Sequence, residues 1–290
     1  MRLEWLRVCF SLAGALCLVA CGARSGLEAF ANDGGTAPPP ADTSTSPLSC
    51  TERGVTYIYV ITDDEDLYRF DPTRSSFGRI GPVRCPTTST ANSMAVDRGG
   101  TAYVGFHDGS LFEVDVGTAA CRPTPYVPLQ FGWTTFGMGY ASDTTDPGET
   151  LYVAESDFEM PSVGLGTIDT NTFTLHEVGP FLPPLESAVE LTGTGDGRLY
   201  ALAVSQDTGQ SYIAEVDPST ARVSDPMPLF SDQTIDAFAF AFWGGDFYTF
   251  TSLGAGTRVH RIDPSNSSIE QVASLAAQVV GAGVSTCAPE

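Results

Sequence analysis

Carboxylates and aromatic rings are the side chains of this 290-residue chain whose types and spacing could do chemistry. The densest acidic run is Asp63-Asp64-Glu65-Asp66, in which Asp64 is a candidate binding residue. A hard cation such as Ca²⁺ needs six to eight oxygens from a glycine-punctuated loop, and this run lacks that spacing. It reads as a solvated hairpin turn, and no metal site is expected. A second group, Glu155, Asp157, Phe158 and Glu159, mixes acids with an aromatic ring, and Phe131 and Trp133 lie some way upstream. Exposed rings flanked by carboxylates would suit stacking against a sugar or docking of an aromatic protein anchor. In the competing reading the same side chains fold down over the core beneath them. The candidate binding set is therefore Phe131, Trp133, Asp64, Glu155, Asp157 and Phe158.

The usual catalytic constellations do not occur. His107, His176 and His260 are far apart in the chain, and there is no G-x-S-x-G elbow, P-loop or H-E-x-x-H sequence. No catalytic residue and no cofactor is assigned, and a binding module is expected ahead of an enzyme. One enzymatic alternative stays open. Asp97, Glu190 and Asp236 are acids beside apolar segments, and two of them converging in a pocket at about 5–10 Å would give the geometry of glycoside cleavage. The chain would then be an exported carbohydrate-active hydrolase or lyase.

The elements that must position these groups are legible as a repeat. Tyr59, Tyr103, Tyr152, Tyr200 and Tyr248 each sit in a β-type run, at spacings of 44, 49, 48 and 48 residues. Asp71, Asp115, Asp169, Asp217 and Asp263 close the next run of each unit, at spacings of 44, 54, 48 and 46. Two markers sharing one period and phase define a repeat unit. An aspartate at the start of a tight turn accepts nearby backbone N–H groups, so these five are read as turn formers. Each unit supplies four strands: an inner one rich in small residues, the tyrosine strand, the strand ending in Asp, and a variable outer strand. Such units build a β-propeller. The fold class is all-β, a five-bladed propeller spanning residues 50–290.

The first unit lacks an inner strand, and Val279-Val280-Gly281-Ala282-Gly283-Val284 at the C-terminus has the missing pattern. Placed inside blade 1, it closes the ring and brings Cys50 and Cys287 to one end of that blade. The four cysteines Cys50, Cys85, Cys121 and Cys287 allow three pairings; a Cys50–Cys287 bond would lock this closure and leave Cys85–Cys121 as the second pair. Zinc is the competing use of four cysteines, but no C-x-x-C knuckle is present.

Residues 1–20 read as an export signal: Arg2 and Arg7 precede an apolar run from Val8 to Leu18, too short to span a bilayer stably. The run ends Leu18-Val19-Ala20-Cys21-Gly22, which resembles the bacterial lipobox, and the resemblance implies lipidation of Cys21. Residues 21–49, with Pro38-Pro39-Pro40 and a Ser/Thr run, read as a flexible tether reaching about 30 Å. With its repeats, the chain is similar to bacterial exported propeller lipoproteins. That resemblance implies a lipid-anchored protein of the cell envelope, sorted to the outer membrane by Gly22. It carries no catalytic residue with it.

All 14 cations are arginine, against 35 acids, giving a net charge of −21. Losing residues 1–20 leaves 12 arginines against 34 acids, so the acidity belongs to the mature chain. With no basic stripe, nucleic acid is excluded as a partner. The expected partner is an envelope protein or glycan, bound by a monomer that meets the membrane only through its N-terminal lipid.

Overall fold

The computed structural model describes residues 50, 57–145, 147–156, 162, 164–183, 185, 188–205, 209–230, 235–254 and 256–290. The chain divides into two compact units after Ser44, and all described residues belong to the second. Asp157 and Phe158 of the candidate set, the neighbouring Glu159, and Cys21 lie outside the described residues.

Five antiparallel four-stranded sheets form a five-bladed propeller. Blade 1 holds β1 (Ile58–Thr62), β2 (Asp66–Asp71) and β3 (Ser76–Pro82); blade 2 holds β4 (Ala91–Val96), β5 (Thr101–Phe106), β6 (Leu111–Asp115) and β7 (Cys121–Pro123). Blade 3 comprises β8 (Phe136–Ser142), β9 (Glu149–Glu155), β10 (Leu165–Asp169) and β11 (Thr174–Gly179). Blade 4 comprises β12 (Ala188–Gly193), β13 (Leu199–Val204), β14 (Ser211–Val216) and β15 (Val223–Pro228). Blade 5 is β16 (Ala237–Trp243), β17 (Asp246–Ser252), β18 (Thr257–Asp263) and β19 (Ser268–Leu275). The last strand, β20 (Val279–Gly283), pairs with β1 as the inner strand of blade 1, with Tyr59 opposite Gly283 and Thr62 opposite Val279. The C-terminal closure expected from the small-residue pattern is thus the one observed.

Burial falls from the axis outward. All five residues of β1 and all six of β13 are buried, because both faces of these strands meet a neighbouring blade, whereas the outer β15 is mostly exposed. The apolar cores accordingly lie between blades. Phe70 of blade 1 meets Phe250 of blade 5 edge-on at 5.7 Å across the seam where the chain ends join. Both rings are fully buried, and burial of a side chain of this size contributes about 1.5–3 kcal/mol.

Five blades leave little room around the axis, so the inner strands approach backbone to backbone. A Cβ on Gly137 would lie 2.0 Å from the carbonyl oxygen of Val189, and one on Gly281 2.8 Å from Met94 N. This contact is the physical reason for the small residues in the inner strands.

The five repeated aspartates are turn formers. Asp71, Asp115, Asp169, Asp217 and Asp263 each accept, through Oδ1, the backbone N–H two residues on, at 2.8–3.1 Å. Hydrogen bonds from Ser219 and Ser265 hold the Asp217 and Asp263 carboxyls below the usual range.

Cys50 is bonded to Cys287, with Cα atoms 5.5 Å apart, and Cys85 to Cys121 at 5.3 Å. Two disulfides fit an exported protein that matures in an oxidising compartment. Among the described residues no helix is long and apolar enough to cross a membrane.

Candidate functional site

Every inner strand runs from one face of the ring to the other. Its first residues lie on the face carrying the loops within and between blades, here the loop face. Its last residues lie on the opposite face, where the two chain ends meet.

On the loop face a cavity of about 340 Å³ is lined by residues of all five blades. Blade 1 contributes Asp63, Gln278 and Val280, and blade 2 contributes Asn92 and His107. Ser156 enters from blade 3, Glu190 from blade 4, and Asp236 with Phe238 from blade 5. Backbone pairing fixes the rim: Asp63 N–H donates to the Gln278 carbonyl at 2.9 Å, and His107 N–H to the Thr90 carbonyl at 3.0 Å. Asp236 Oδ2 accepts the Gly254 N–H at 2.5 Å, which orients its exposed carboxylate.

Glu190 is the most enclosed of these groups, with 3% of its surface exposed. It accepts Ser93 Oγ–H of blade 2 at 2.9 Å and the backbone N–H of Met138 of blade 3. Burial pushes its carboxyl well above the usual range, and those two hydrogen bonds only partly oppose the effect. Three inner strands therefore meet at one carboxyl beneath the cavity.

The opposite face is built differently. There Arg98, in the β4–β5 turn, lies 3.5 Å from the buried Glu149 and donates to Thr286 Oγ1, the Pro147 carbonyl and Ser142 Oγ. Thr286 in turn donates to Glu149 Oε2 at 2.7 Å. This network joins blades 2 and 3 to the C-terminal segment. Asp97 belongs to the same face and accepts Thr101 N–H at 2.7 Å. Of the three acids considered for glycoside cleavage, Glu190 and Asp236 share the cavity and Asp97 is at the other end of its strand.

Among the described residues, the candidate binding residues Phe131, Trp133, Asp64 and Glu155 do not line one cavity. Phe131 is 65% exposed on the connection from blade 2 to blade 3. The neighbouring Gln130 anchors that connection, donating to the Phe173 carbonyl at 3.0 Å and accepting Leu175 N–H at 3.0 Å. Trp133 is 3% exposed and packs in the core between blades 2 and 3, so no face of it is available for stacking. Glu155 ends strand β9 and is buried, although its position suggested a loop; the next residue, Ser156, is the one lining the cavity. Asp64 is exposed beside the cavity, whereas Asp63 lines it, and Asp66 turns outward to a two-pronged pair with Arg79 at 2.6 Å.

Asn92 and Gln278 belong to no motif, and His107, set aside as a catalytic or metal-binding residue, lines the cavity. Their only signal was position, at the start of an inner strand or just past the tyrosine strand.

A second cavity of about 340 Å³ lies in the cleft between blades 4 and 5, lined by Tyr200, Met227, Phe242 and Phe247 among others. It draws on two blades and is more apolar than the central one.

No family model matches the chain, and no curated protein matches it. Solved structures similar to it include a chain of the nidogen/laminin complex, with a TM-score of 0.47 and 10% identity over 78% of this chain and 97% of that one. Another is an exo-β-1,3-galactanase from Phanerochaete chrysosporium, at TM-score 0.43 and 12% identity over 65% of this chain and 53% of that one. A third is the extracellular domain of a one-component system from B. thetaiotaomicron, at TM-score 0.40 and 12% identity over 74% of this chain. The chain spans only 28% of that protein's length. At these scores and identities, nothing about ligand or activity carries over to this chain.

Proposed function

We propose that this chain is an exported, lipid-anchored binding module of the bacterial cell envelope, holding a small polar ligand in its central cavity. One observation carries the reading: all five blades line a single cavity on the loop face, with Asp63 and Gln278, Asn92 and His107, Ser156, Glu190, and Asp236. Convergent polar groups in a pocket of this size are the usual form of a small-molecule site. The ligand would be a fragment of an envelope glycan or a side chain presented by an envelope protein. Lipid on Cys21 and a tether over residues 21–49 would hold the propeller near the outer membrane. Two measurements test this. Binding of the full chain to an array of envelope glycan and peptide fragments should disappear in Gln278→Trp, which fills the cavity mouth; binding that persists would place the ligand elsewhere. Cys21→Ser should move the protein from the membrane fraction to the soluble one.

Glycan cleavage is the second reading, favoured by Glu190 and Asp236 opening onto one cavity. A carboxyl raised by burial suits a general acid, and an exposed carboxylate on the same cavity suits a base or nucleophile. Release of new reducing ends from envelope glycans, abolished by Glu190→Gln, would establish it. An intact glycan after prolonged incubation would leave binding alone.

A further inference from the structure

We propose that the central cavity selects a small organic cation, whose ammonium group sits against the carboxyls of Glu190 and Asp236. The proposal rests on the reading of that cavity as the ligand site and names its chemical class.

The first support is how the chain treats two of its other enclosed acids. Glu149, with 6% of its side chain exposed, has Arg98 at 3.5 Å, and Asp71, with 8%, has Arg74 at 2.6 Å. Glu190 is enclosed to a similar degree, yet its partners are a hydroxyl and a backbone N–H, and among the described residues no arginine stands in an ion pair with it. Burial alone favours the neutral form of this carboxyl, whereas a positive charge beside it would favour the carboxylate. On the closing face the protein supplies that charge itself. Glu190 instead lines the central cavity, where neither arginine nor lysine is among the lining residues.

The second support is the lining. Asp63, Asp236 and Glu190 are acidic, His107 is the one basic side chain among the lining residues, and neither arginine nor lysine takes part. With a chain charge of −21, a concave acidic site concentrates cations at its mouth. Asn92, Gln278 and Ser156 add neutral acceptors for ammonium N–H or ligand hydroxyl groups.

Size and dispersion narrow the class. Among the described residues no three histidines, cysteines or acids converge closely enough to hold a metal ion. The acids come from blades 1, 4 and 5, around a space of about 340 Å³. That arrangement fits a charge carried on an organic body the size of one sugar or a short diamine.

Calorimetry on the full chain tests the proposal with two matched pairs, glucosamine against glucose and cadaverine against pentanediol, which differ in charge more than in size. The ammonium member of each pair should bind about tenfold or more tighter than its hydroxyl counterpart, as charge-assisted hydrogen bonds are the stronger kind. Glu190→Gln keeps an oxygen for Ser93 and Met138, and should bring the pairs to within about twofold of each other. Asp236→Asn, at an exposed position, should reduce the preference without burdening the fold. Equal binding within each pair, or a preference that survives both substitutions together, overturns the cation class. So does a failure of both ammonium compounds to bind. In each of these cases envelope fragments whose binding is blocked by Gln278→Trp would leave the cavity reading standing, and fragments indifferent to that substitution would remove it.

Discussion

Replacing both Cys50 and Cys287 by serine removes the crosslink that joins the chain ends, and the structure sets the size of the effect. The closed loop covers a sequence separation of 237 residues, against 36 for Cys85–Cys121. Loop-closure entropy in the unfolded chain grows with the logarithm of that separation, giving about 18 cal/mol/K for the long loop and about 13 for the short one. At room temperature these become about 5.5 and about 4 kcal/mol. The strand β20 still pairs with β1 in the serine variant, so the ring closes and the folded state is unchanged; the loss comes from the greater freedom of the unfolded chain. Urea unfolding of wild type, Cys50→Ser/Cys287→Ser and Cys85→Ser/Cys121→Ser measures it, with the slope of free energy on urea reporting any change in the unfolded ensemble. The long-loop variant should be the less stable of the two by about 1–2 kcal/mol. If it is as stable as the short-loop variant, or loses less than about 1 kcal/mol relative to wild type, the ends are held by strand pairing alone and the entropic argument fails.

Three other outcomes are expected. Gly137→Ala, whose Cβ would lie 2.0 Å from the Val189 carbonyl oxygen, should cost about 3 kcal/mol or more and lower the melting temperature, because backbone stands on both sides of the clash. Arg98→Met should cost about 3–5 kcal/mol by stranding Glu149, and adding Glu149→Gln should recover most of it in the same urea assay. For Glu190, whose carboxyl is raised by burial, the folded chain retains a proton that the unfolded chain releases above a pKa of 4.5. Its contribution is therefore fully present below that value and lost as pH rises toward the folded pKa. Glu190→Gln should flatten this part of the profile, so the stability difference between variant and wild type should change steadily as pH rises above 4.5 toward the folded pKa. A pH-independent difference would show that the group is ionised in the fold.

The architecture was readable because each blade repeats the same local solutions. Asp71 and its four counterparts make one turn five times, and the small residues before Tyr103, Tyr152 and Tyr200 answer one steric demand at the axis. Even the closing strand carried this pattern, in Val279–Gly283. The site had no such signature. A ring collects one or two residues from each unit, so Asp63, Asn92, Ser156, Glu190 and Asp236 are separated by tens of residues and form no motif. Local composition pointed instead to clusters of acids and rings near residues 131 and 155. Trp133 and Glu155 belong to packed structure there, because apolar mass near the blade interface is drawn into the core whether or not its sequence neighbours are polar. The exposed Phe131 is displayed by a backbone held from below by Gln130, a contact with a strand some 45 residues later that no short-range pattern announces.

The bond between Cys50 and Cys287 also decides how the molecule responds to pulling. Tension arriving along the chain from its N-terminal side reaches Cys50 before it reaches β1. There it divides, and the covalent branch carries load straight to the end of β20. Strand β1 and its partner are then drawn as one crosslinked pair, so the hydrogen bonds between them are not opened one at a time. A propeller anchored as proposed would meet drag on a bound ligand with its whole ring, and reduction of this single bond would turn the same load into a force that peels open blade 1.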